Sequence, residues 1–64
     1  PPEEIDQVLA QIEQMPPDQA LLALEDLLAE APEEIRSLVE QAKTLPPEQQ
    51  VEAVGIIIRS LRGQ

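Results

Sequence analysis

The sequence predicts an all-α fold, a compact four-helix bundle built from two tandem helical hairpins. The first reason is a repeat: Pro2-Glu3-Glu4-Ile5 returns as Pro32-Glu33-Glu34-Ile35, and Met15-Pro16-Pro17-Asp18-Gln19 returns as Leu45-Pro46-Pro47-Glu48-Gln49, both at a spacing of 30. At that offset nine of thirty positions are identical, and most other apolar positions stay apolar. Self-similarity at a period near thirty residues is the signature of stacked helical hairpins. The second reason is helical spacing of apolar residues in four segments, and the third is the proline punctuation between them. The chain is therefore read as one domain, with hairpins over 1–31 and 32–64.

In the first helix Ile5, Val8, Leu9, Ile12 and Met15 recur at i, i+3, i+4 and i+7, a narrow stripe. Pro2 suits a first turn, and Glu3 and Glu4 complement the positive end of the helix dipole. Pro16-Pro17 must end this helix, because Pro16 lacks a donor and pushes the preceding residue out of the α region. Pro17 then opens the second helix, expected over about 18–30, with a wide arc of Ala20, Leu21, Ala23, Leu24, Leu27 and Leu28 that Pro32 closes. The third helix copies the first, with a stripe of Ile35, Leu38, Val39, Ala42 and Leu45, and Lys43 suits its negative end. The fourth, about 48–61, copies the second through Val51, Ala53, Val54, Ile57, Ile58 and Leu61, with Gly63 as its stop. Wide arcs touch more neighbours than narrow stripes, so the second and fourth helices are expected to form the inner pair. A two-repeat solenoid fragment is the competing arrangement, but it would leave both outer faces open, and such stacks normally need three repeats.

Composition excludes several function classes. The net charge is −9: residues 1–31 carry eight acids and no base (−8), and residues 32–64 carry five acids and four bases (−1). A surface so acidic repels phosphate backbones and anionic headgroups, so neither nucleic acid nor membrane is an expected partner. Without Cys or His there is no disulfide, no Cys-His nucleophile, no Ser-His-Asp triad and no zinc or haem ligand set. The carboxylate pairs Glu3-Glu4 and Glu33-Glu34 point about 100° apart on a helix and are better explained as first-turn charges. Gly55 and Gly63, the two glycines, make no phosphate cradle. Lys43, the sole lysine, lies on the polar side of its helix. Neither an enzyme, a cofactor nor a small-molecule substrate is expected. No apolar run reaches membrane-spanning length and no signal peptide opens the chain, so a soluble protein of undetermined compartment is expected.

The anomaly is the middle of the fourth helix. Gly55-Ile56-Ile57-Ile58 sets a residue costing about 1 kcal/mol against Ala, and three β-branched ones, in an otherwise good helix former. On a wheel of about 100° per residue with Val51 at zero, Ile56 falls outside the core arc on the polar side. Gly55 falls on the other flank, beside Arg59 and Arg62. Their repeat counterparts are Asp26 and Glu25, so a solvent-facing pair has become Gly-Ile. One reading packs Ile56 under another helix and uses Gly55 to relieve a close helix approach. The other makes a protein-binding face, with Gly55 admitting a partner, Ile56 as anchor, Glu52, Arg59 and Arg62 as polar rim, and Leu22 joining from the second helix. The absence of Trp, Tyr and Phe leaves any aromatic anchors to the partner.

The Pro32-Glu33-Glu34-Ile35 and Leu45-Pro46-Pro47-Glu48-Gln49-Gln50 phrases, the expected short helices of equal length, the loops stripped to two prolines and the Glu- and Gln-rich surface resemble computationally designed helical mini-proteins. The resemblance covers the whole chain and implies a rigid scaffold or mini-binder that offers one helix face to a target. The single Lys, the mid-helix Gly55 and the lack of aromatics depart from that pattern. The functional expectation is a non-enzymatic scaffold that presents the fourth helix to a protein partner. The alternatives are a self-associating bundle, or a natural acidic docking or regulatory domain excised from a larger protein.

Overall fold

The computed structural model describes the backbone of residues 2–63 and the side chains of residues 3–63. It contains four helices, α1 (Pro2–Glu13), α2 (Pro17–Leu27), α3 (Glu33–Lys43) and α4 (Pro47–Arg62). Each of the last three is entered through a proline in extended conformation: Pro16 (φ −56°, ψ 147°), Pro32 (φ −55°, ψ 150°) and Pro46 (φ −60°, ψ 156°). No side chain caps these starts. Instead the proline carbonyl takes the first intrahelical bonds, from Ala20 (2.8 Å), Arg36 (3.2 Å) and Gln50 (2.9 Å). In α2 and α4 the next residue, Pro17 or Pro47, has no N–H, so one of the donors a helix start leaves orphaned is absent. Asp18, Glu33, Glu34 and Glu48 add negative charge to the same first turns.

α2 and α4 are the inner pair. They pack on each other and each touches both outer helices, whereas α1 and α3 do not meet among the described residues. The α1–α4 contact, with no α1–α3 contact among the described residues, decides between the two arrangements the sequence leaves open. A solenoid step would stack α1 on α3 and keep α1 away from α4. Here the pattern of neighbours is unchanged when the two hairpins are exchanged, so the hairpins close on each other in equivalent roles, with α2 and α4 meeting at the centre. The radius of gyration, 10.8 Å, matches the roughly 10.7 Å expected for a compact domain of this length.

The core is entirely aliphatic. Leu9 and Ile12 of α1, Ala20, Leu21 and Leu24 of α2, Val39 and Ala42 of α3, and Val54, Ile57 and Ile58 of α4 are buried together with Leu28. No polar or charged residue is buried with them among the described residues. Burial respects the repeat at Leu9/Val39, Ile12/Ala42, Leu24/Val54 and Leu28/Ile58.

Several expectations are corrected. α2 ends at Leu27 rather than near residue 30. Pro32 keeps Ala31 out of the α region, and the chain tightens through the Ala29 N–H to the Asp26 carbonyl (3.3 Å) and the Ala31 N–H to the Leu28 carbonyl (3.0 Å), which turns Leu28 into the core. Gly63 ends α4 in a right-handed conformation (φ −73°, ψ −7°), so its freedom to adopt positive φ is unused. The stripes also bury less than their full width. Ile5, Val8, Leu27, Leu38 and Val51, core positions by spacing, are exposed. An outer helix rests on the inner pair along one line, occupied by Leu9 and Ile12 or by Val39 and Ala42, and the flanking stripe positions spill into the grooves between helices.

Candidate docking grooves

Hairpin exchange generates grooves in matching pairs. Between α1 and α2 a groove is lined by Val8, Gln11, Ile12, Met15, Ala23, Asp26 and Leu27. Between α3 and α4 another is lined by Leu38, Gln41, Ala42, Leu45, Ala53, Ile56, Ile57 and Ser60. Seven of these positions correspond one to one at the repeat spacing of 30. The decisive exchange is Asp26 for Ile56. In the α1–α2 groove a carboxylate sits beside Val8 and Leu27; in the α3–α4 groove that place is aliphatic, next to the larger Leu38. Ile56 is 54% exposed and Leu38 49%.

The remaining two grooves differ more. On the α2–α3 side Lys43 reaches across to the Glu25 carboxylate, bonds Glu40 at 3.1 Å on its own helix, and accepts through its carbonyl a bond from the Gln50 amide at 3.2 Å. The hydrogen bond from Lys43, then one involving Glu40, holds the Glu25 carboxyl below its ordinary value. The bonds to Glu25 and then Glu40 hold the Lys43 ammonium above its own. The repeat places Glu13 where Lys43 stands and Gly55 where Glu25 stands, so the Lys43–Glu25 bridge has no equivalent at those positions of α1 and α4. That groove stays open, lined by Glu13, Met15, Pro17, Val51, Val54, Gly55 and Arg59. Glu13 turns instead to Arg62 (3.1 Å), which also lies 4.0 Å from Asp6.

These grooves separate the residues singled out in the sequence. Gly55 faces the α1 side and Ile56 the α3 side, so the two flank α4 rather than form one patch. Arg59 borders the Gly55 groove, and exposed Glu52 lies on the outer crest between the two. Arg62 ties the end of α4 to α1. Leu22, 58% exposed, lies about 160° around α2 from the buried Leu24, and so faces away from α4. Neither packing role suggested for Gly55-Ile56 is present: Ile56 is not covered by another helix, and a Cβ built on Gly55 meets nothing within 4 Å. Leu38 was missed as a surface residue because it belongs to a core stripe by spacing. The alignment of the two hairpins carried the signal, since positions 8 and 38 neighbour positions 26 and 56 in equivalent grooves.

No group of three or more metal-ligating side chains gathers among the described residues, and no helix there is long and apolar enough to cross a membrane. Comparisons with protein-family models, curated proteins and solved structures returned no match.

Proposed function

We propose that the chain is a non-enzymatic protein-interaction module whose docking face is the α3–α4 groove, with Ile56 and Leu38 as its anchors. The observation that carries this reading is the groove's chemistry. It has no ionisable residue in its lining, whereas the α1–α4, α2–α3 and α1–α2 grooves each contain at least one. On a chain of net charge −9, an uncharged aliphatic trough edged by Gln41 and Ser60 has the composition of an interface centre with a polar rim. The trough between two helices suits the apolar ridge of a third helix. Presentation on short helices joined by proline turns keeps the ordering cost of association low, the property expected of a designed scaffold.

A selection of helical peptides displayed against the immobilised chain tests the reading. Selected peptides are expected to lose binding to Ile56→Gln and Leu38→Gln and to keep it for Leu22→Gln. Peptides indifferent to Ile56, or no peptides at all, would overturn it.

A further inference from the structure

We infer that the partner fitted by the α3–α4 face is a second copy of this chain, packed face to face about a twofold axis; this rests on the docking reading above and gives it an occupant. Charge distribution is the first argument. A copy of a −9 protein is repelled on average, but the repulsion is concentrated in hairpin 1, which carries −8, while hairpin 2 carries −1. Pairing α3–α4 with α3–α4 keeps the two acidic hairpins on the outside and brings the nearly neutral halves together. Any arrangement through the α1–α2 groove would bring Asp26 and the −8 half toward the contact.

Self-complementarity is the second argument. In a twofold contact the same patch lies on both sides, so residue i meets residue j while j meets i, and groups near the axis meet their own copies. The polar side chains lining the groove, Gln41 and Ser60, each both donate and accept, so they satisfy their copies without an orphan. A lysine or carboxylate near the axis would face its like. Ile56 and Leu38 likewise need only aliphatic neighbours, which suits a chain with no Trp, Tyr or Phe to act as anchors.

The third argument is size. A standard interface covers about 800 Å² of each partner, nearly the whole broad face of a molecule measuring 34 × 25 × 18 Å. The apolar trough fills only part of such a face, so the dimer is a weak, concentration-dependent one.

Sedimentation equilibrium with interference optics, over a hundredfold concentration range and at low and high salt, tests the inference. Wild type is expected to approach twice the 7.1 kDa monomer mass as concentration rises. Salt should tighten the dimer, because screening acts on the repulsion and leaves the aliphatic contact intact. Ile56→Gln, which keeps the charge, should weaken the dimer at least about tenfold, and Leu22→Gln should not. Asp26→Ile, which gives the α1–α2 groove the lining of its counterpart, should add a second sticky face and carry the mass beyond dimer. Wild type that stays monomeric throughout, or a dimer that Leu22→Gln weakens as much as Ile56→Gln, overturns the inference. Monomeric wild type whose selected peptides still map to Ile56 removes the self-partner and leaves the docking reading standing; failure of both experiments removes both.

Discussion

Replacing Gly55 by Ala isolates a single physical term. In a helix interior Gly is less favourable than Ala by about 0.8–1.0 kcal/mol, and at most glycines part of that gain is cancelled by a clash or by a positive φ that Ala resists. Neither applies here. The new methyl would meet nothing within 4 Å, and no described residue has positive φ. The full propensity term, about 1 kcal/mol of added stability, is therefore expected. Unfolding entropy of roughly 2.1 cal/mol/K per residue gives about 0.13 kcal/mol/K for a domain of this size, so the melting temperature should rise by about 7 °C. The assay is a thermal melt followed by far-UV circular dichroism, since the chain has no aromatic reporter. Repeating it in an Ile56→Gln background removes any contribution from association. A melting temperature unchanged or lowered in both backgrounds would refute the reasoning, because it would mean that the α1–α4 groove has no room at Gly55.

Three further substitutions probe other parts of the structure. Ile58→Ala empties a fully buried core site on α4 and should cost about 2–5 kcal/mol, read as a large loss of stability in a urea titration followed by circular dichroism. Leu22→Gln, on the outer face of α2, should stay within about 0.5 kcal/mol of wild type in a urea titration. Lys43→Met removes the bridge between α2 and α3, and its destabilisation should depend on pH. Glu25 has a folded-state pKa below its ordinary 4.5, so its contribution is present above that value and is lost as pH falls through the lowered one. Lys43 has a pKa raised above 10.5, so its contribution is present below that value and is lost as pH rises through the raised one. Melts of wild type and Lys43→Met should therefore differ at pH 7, and the difference should shrink as pH falls through the lowered Glu25 value.

The four helices were legible because proline and periodicity act locally. Pro16, Pro32 and Pro46 fix where helices start whatever surrounds them, and the apolar arcs of α2 and α4 are too wide for anything but an inner position. What escaped were properties of two helices at once. The stripe of α3 contains Leu38 and Val39 on equal terms, yet Val39 lies on the line of contact and Leu38 in a groove, a difference set by where α4 runs. The end of α2 shifted because a tighter turn before Pro32 buries Leu28, an outcome of packing. Gly55 and Ile56 stood out correctly as exceptions to the repeat, but adjacency in sequence suggested a joint patch. About 100° of helical rotation places them on opposite flanks of α4.

Invariance under hairpin exchange makes this chain a symmetric pair of half-proteins joined by a short linker. Two separate hairpins would have to find each other in solution; tethered, each meets the other at an effective concentration in the millimolar range, so the pairing of the two halves within one chain no longer depends on how much protein is present. The joint also releases the halves from having identical sequences. Glu25 and Gly55, or Asp26 and Ile56, occupy equivalent sites, and in two free identical hairpins each such site would carry the same residue. Covalent connection lets one half hold the acidic, solubilising surface while the other presents the aliphatic one.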